Sequence, residues 1–65
     1  DCIIETAKDI YIFEFKLDGT AAEALAQIES KGYSRPYAAD TRRVHRIGAS
    51  FSSKTGTISD WAVEE

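Results

Sequence analysis

At 65 residues with a net charge of −3, the chain is at most one domain, and a core of this size barely offsets the ordering entropy of roughly 1.5 kcal/mol per residue. A composition of 43% hydrophobic and 29% charged residues excludes a disordered tail, and no apolar run approaches the ~20 residues of a membrane span. The single cysteine, Cys2, excludes an internal disulfide and a multi-cysteine metal site; it fits a reducing, cytoplasmic setting and a role as buried filler.

The charge is unevenly spread. Between Lys31 and Lys54 lie six basic residues against the single acid Asp40, while the remainder holds Lys8 and Lys16 against ten carboxylates. This asymmetry suits an acidic site beside a basic surface that meets an anionic partner, and equally a solvated strand and loop.

Two stretches rich in β-branched and aromatic residues, 1–6 (DCIIET) and 9–17 (DIYIFEFKL), joined by Ala7 and Lys8, predict a tight antiparallel hairpin. With an even loop, paired positions sum to 15: Ile3 faces Ile12 and Asp1 faces Glu14. An odd loop or a bulge shifts this by one and separates the carboxylates. Starting at Asp1 inside this first strand, the chain reads as a segment of a longer protein.

Thr20 followed three residues later by Glu23 is a capping-box signature, and Gly32 is a helix stop. A helix over Ala21–Lys31 is expected, presenting a narrow stripe of Ala21, Ala24, Leu25 and Ile28 to a sheet and Glu23, Glu29 and Ser30 to water. Residues 33–40 form a connection in which Pro36 forbids a central strand and two tyrosines cover an edge of the core. Residues 42–52 and 56–64 read as two more strands, joined by the polar turn Ser53–Gly56.

The order β-β-α-β-β with a right-handed crossover predicts an α/β (α+β) domain over residues 1–65: a four-stranded mixed sheet in order 1-2-3-4 with one main helix on one face. Alternation puts Tyr11, Phe13, Phe15 and Leu17 on one face of the second strand and Ile10, Ile12, Glu14 and Lys16 on the other. The wholly apolar face is expected to take the helix. That leaves Ile3, Ile10 and Ile12 uncovered, awaiting a missing segment or a second copy in a homodimer. Ile47, Phe51, Trp61 and Val63 are assigned to the core.

Under the even-loop register Asp1, Glu14 and Lys16 share one face at one end of the hairpin. Like charges opposite each other destabilise a sheet, a cost that makes sense if a divalent cation sits between them; Lys16 could then orient or deprotonate water or neutralise a phosphate. The competing reading is an exposed Glu-x-Lys ion pair. His45, with no Cys or second His near it, is read as a surface histidine. Arg42, Arg43 and Arg46 could follow a nucleic-acid backbone, or, as edge charges, block sheet association.

The pattern of Asp1, a hairpin, FEFK with Glu14 and Lys16, and a helix carrying AEALAQIESKGY resembles the core of the PD-(D/E)XK nuclease superfamily. More closely, it is similar to the C-terminal nuclease-like domain of bacterial proteins with an N-terminal AAA-ATPase-like part, and the likeness extends through YAAD and IGASFSSKTGTISDW. The resemblance implies a restriction-endonuclease-like core, here truncated by its first helix and strand, and cleavage of phosphodiester bonds of nucleic acid, DNA in the first instance. It implies Asp1, Glu14 and the backbone carbonyl of Phe15 as ligands of Mg²⁺ or Mn²⁺, Lys16 as the catalytic lysine, and the N-terminal parts of the parent as partners. Gln27 matches a recurrent helix glutamine that reaches the site, or is a solvated polar residue. The alternative is a catalytically silent nuclease-fold module that binds nucleic acid or a protein partner beside the ATPase-like domain.

Overall fold

The computed structural model describes residues 2–65. The elements are β1 (Cys2–Glu5), β2 (Asp9–Leu17), α1 (Ala21–Lys31), a 3-10 turn (Arg35–Tyr37), β3 (Arg43–Phe51) and β4 (Ile58–Glu64). They form one sheet in the order β1-β2-β3-β4, antiparallel, parallel and antiparallel, as the element order predicts.

The first hairpin has the even loop. Its pairs are Cys2 with Phe13, Ile3 with Ile12, Ile4 with Tyr11 and Glu5 with Ile10. No Gly or Asn marks the turn because Thr6 does the work: its backbone N–H donates to the Asp9 carbonyl at 2.8 Å, and its hydroxyl accepts the Asp9 N–H at 3.0 Å. This is the local side-chain closure that Ser and Thr offer in place of glycine.

Between β2 and α1 the chain turns at Asp18, whose φ of 55° is left-handed. Its carboxylate accepts from the Ser53 backbone N–H at 2.9 Å and hydroxyl at 2.6 Å, which ties the turn to the β3–β4 loop. Helix α1 then starts with a full capping box: the Thr20 hydroxyl accepts from the Glu23 N–H and the Glu23 carboxylate takes the Thr20 N–H. A further orphan donor at the helix start, the Ala21 N–H, reaches Asp60 on β4 at 2.9 Å. Gly32, left-handed at φ 69°, ends the helix.

The helix lies on the face opposite to the one expected. Ile10 and Ile12 are 0% exposed and pack with Ile28, flanked by Leu25, Tyr33, Tyr37 and Val44, so these two isoleucines are covered rather than open, while Ile3, beside Ile12 on β1, stays 43% exposed as expected. The reason lies in β3. In the parallel register Glu14 pairs with Gly48 and Lys16 with Ser50, so the face of Ile10, Ile12, Glu14 and Lys16 carries the two small residues that let a helix backbone approach. A Cβ on Gly48 would stand 2.6 Å from the Ala21 carbonyl oxygen and 3.0 Å from the Ala24 Cβ. Bulk excludes the helix from the other face, where Tyr11 stacks on His45 at 4.8 Å and Phe15 meets Phe51 at 5.7 Å.

That second face is the open one. Phe15, Leu17, Trp61 and Val63 are 43–69% exposed, so Trp61 and Val63 are not core residues, and Cys2 is an exposed thiol rather than filler. The two tyrosines of the connection do cover the core edge, and the Tyr37 hydroxyl donates to Glu5 at 3.0 Å. No helix among the described residues is long and apolar enough to cross a membrane.

Candidate active site

Because α1 covers the isoleucine face, Glu14 and Lys16 lie beside the helix instead of emerging on a bare surface. Glu14 is 4% exposed, and a carboxylate withdrawn from water to that degree needs hydrogen bonds or counter-charges. The helix supplies both. Gln27, its amide orientation set by the neighbours it must satisfy, donates through its nitrogen to Glu14 Oε2 and accepts at its oxygen from Lys16 Nζ at 2.9 Å. It therefore bridges the two charged residues of the strand. One turn on, Lys31 Nζ stands 3.8 Å from the same Glu14 oxygen.

This arrangement is a direct consequence of local geometry. Glu14 and Lys16, two apart on a strand, point to one face; Gln27 and Lys31, four apart on a helix, share one side of it. Contact of Gly48 with Ala21 and Ala24 sets the helix low enough for an amide and an ammonium to meet the carboxylate. Described β1 ends at Cys2, opposite Phe13, one residue short of Glu14. The register required for Asp1 to face Glu14 is the one found, and Asp1 itself lies outside the described residues.

The structure thus brings Glu14, Lys16 and Gln27 together and adds Lys31, which the sequence reading passed over although its spacing from Gln27 was a signal. It does not bring Arg42 or Arg43 to this site. Arg42 precedes β3 at the far end of the sheet, and its guanidinium binds Asp40 at 2.7 Å, Glu5 at 3.0 Å and the Thr6 carbonyl at 3.1 Å. These bonds hold the Asp40 carboxyl down at about 2 and raise the Arg42 guanidinium further. Arg43 opens β3 opposite Asp9, about 16 Å of strand from the Glu14 position at ~3.3 Å per residue. Arg46 lies on the helix-covered face, in register with Ile12 on β2 and Glu64 on β4.

His45 sits among partners rather than on a bare surface. Nε2 meets Asp9 at 2.8 Å and Nδ1 meets Glu65 at 3.1 Å, which raises its pKa above the ordinary 6.5, chiefly through the hydrogen bond to Asp9 and against the effect of burial. The Asp9–His45–Glu65 cluster fastens the last residue to β2 and β3 and is remote from Glu14.

For a hard divalent ion the donors here are of the right kind. Among the described residues no three His, Cys, Asp or Glu side chains gather at one point. Mg²⁺, however, is commonly held by one or two carboxylates, with water and phosphate oxygens completing the shell. Glu14 offers one carboxylate of that kind among the described residues, with the ammonium groups of Lys16 and Lys31 standing beside it as competing cations.

Comparison with known proteins identifies the family. A family model of the PD-(D/E)XK nuclease superfamily matches residues 1–61. The chain is 35% identical over 57 residues to an uncharacterized protein encoded in the 5′ region of vnfD in Azotobacter chroococcum mcd 1; the match covers 85% of this chain and 11% of that protein. No solved structure matches. With a model match spanning the hairpin, the helix, β3 and the start of β4, the chain belongs to the PD-(D/E)XK nuclease superfamily.

Proposed function

We propose that the chain carries the catalytic strand pair of a metal-dependent nuclease that hydrolyses phosphodiester bonds, with DNA as its substrate. The observation that supports this most is the buried Glu14 carboxylate joined through Gln27 to Lys16. A solvated ion pair would not be taken beneath a helix and given a bridging amide.

In this reading Glu14, Asp1 and the Phe15 carbonyl hold Mg²⁺ or Mn²⁺. When bound, the ion supplies Lewis-acid polarisation of the phosphate and lowers the pKa of its water. The rest falls to the chain's own groups. Gln27 holds the Lys16 ammonium at 2.9 Å in a fixed direction relative to Glu14. From there Lys16 orients the attacking water and offsets charge growing on the phosphoryl oxygens.

A second reading draws on the open face, where Phe15, Leu17, Trp61 and Val63 stand 43–69% exposed: a silent nuclease-fold module that docks a partner, an ATPase-like neighbour included, through that face. One calorimetric experiment separates the two. The catalytic reading expects Mn²⁺ or Mg²⁺ binding that Glu14→Gln abolishes while the circular dichroism spectrum is unchanged. Absence of such binding from the wild-type chain refutes it and leaves the docking module.

A further inference from the structure

We propose that Lys31 is a positioning residue of this site, an internal cation that neutralises Glu14 when no metal is bound and that an incoming divalent ion displaces. The inference rests on the metal-site reading of Glu14 given above.

Three observations carry it. Lys31 Nζ and the Gln27 amide converge on one oxygen, Glu14 Oε2, so a metal ligated by that oxygen and the Lys31 ammonium compete for the same place. At 3.8 Å the lysine is an ion-pair partner without the short contact of a hydrogen bond. The two ends of the pair also differ in freedom: the Glu14 side chain is 5% exposed and the Lys31 side chain 45%. The carboxylate is fixed and the ammonium can withdraw into water.

Where Lys31 goes when displaced is set by its position at the last turn of α1. A cation there is favoured by the helix dipole, and the Tyr33 ring, 5.7 Å from Nζ, offers a second resting place at exposed cation–π strength. The lysine therefore leaves Glu14 without losing all its partners. Lys16 has a different constraint, since Gln27 holds it.

The test is Mn²⁺ calorimetry on wild type, Lys31→Met, Lys31→Arg and Glu14→Gln. Removing a like charge about one ion-pair distance from the ligand is expected to tighten Mn²⁺ binding by roughly three- to tenfold in Lys31→Met. Lys31→Arg, which keeps the charge, should stay close to wild type. A second readout needs no affinity: on titration with Mg²⁺ the Lys31 side-chain resonances shift towards those of a free lysine in wild type and stay still in Glu14→Gln. Unchanged or weaker Mn²⁺ binding in Lys31→Met, with Glu14→Gln still abolishing it, overturns the role of Lys31 and leaves the metal site standing. If neither wild type nor Lys31→Met binds Mn²⁺, the metal reading falls and takes this proposal with it.

Discussion

Gly48→Ala tests the packing on which the candidate site depends. The added Cβ would stand 2.6 Å from the Ala21 carbonyl oxygen, 3.0 Å from the Ala24 Cβ and 3.0 Å from the Leu25 nitrogen. Two of these atoms are helix backbone, so no side-chain rotation relieves the clash. Ordinary contact between such atoms lies near ~3.5 Å, and α1 must withdraw by about 0.5–1 Å. Overpacking of this kind costs about 1–3 kcal/mol. The lost flexibility of the unfolded chain returns about 0.4–1 kcal/mol; because the clash is with backbone that no rotamer relieves, the upper part of the cost range applies and the net loss is about 1–2 kcal/mol. In a domain of this size that lowers the thermal midpoint by about 4–16 °C at ~4–8 °C per kcal/mol. Circular dichroism during heating and urea unfolding measures it, and the Gln27 side-chain amide resonances should move towards solvent values as the helix rises from Glu14. A variant as stable as wild type, or more stable, would mean that Gly48 has room above it and that α1 does not lie on this face.

Two further outcomes concern groups outside the site. His45 gains its carboxylate partners only on folding, so its folded pKa lies above the unfolded value of 6.5; its stabilisation is full below about 6.5 and fades as pH rises through the folded pKa. The urea-midpoint difference between wild type and His45→Gln should therefore shrink from pH 6 to pH 8, and an NMR titration midpoint at or below 6.5 for His45 would refute the double clamp by Asp9 and Glu65. Arg42→Lys keeps the charge but loses the fork that reaches Asp40, Glu5 and Thr6 together. It should lower the urea midpoint, and a midpoint equal to wild type would refute the role of the fork.

The elements of the fold were legible because each was written in local chemistry. Thr20 with Glu23 specified the helix start and Gly32 its end, whereas the hairpin register stood open between an even and an odd loop, and the pairing of Ile3 with Ile12 decides for the even one. The side on which the helix lies was not legible from β2 alone. Its alternation offers two faces, and the one with Tyr11, Phe13, Phe15 and Leu17 is the more apolar. Hydrophobicity measures how much a face gains from cover, but a narrow Ala21–Ala24 stripe also needs a partner low enough to receive it. That information sat in β3, where Gly48 falls opposite Glu14 across the parallel pair. A glycine inside a strand marks close backbone approach, and combined with the register it identifies the covered face. Trp61 and Val63 follow from the same correction, since they pair with Ala49 and Ile47 on the opposite side.

The corrected face also changes why two charges can stand inside an apolar strand. On the uncovered side of a sheet, Glu14 and Lys16 would be tolerated simply because water reached them, and nothing would require Gln27 or Lys31 to be near. Beneath the helix, solvation is withdrawn and must be replaced: Gln27 joins the carboxylate to the strand lysine, and Lys31 brings a second positive charge to the same oxygen. Replacing water by oriented groups fixes the carboxylate and Lys16 relative to each other, and under the proposed nuclease function this is the pre-organisation that electrostatic catalysis requires. The helix that completes the core therefore also converts an i, i+2 pair of charges on a strand into a directed constellation, and the small residues Ala21, Ala24 and Gly48 are as much a condition of that arrangement as Glu14 itself.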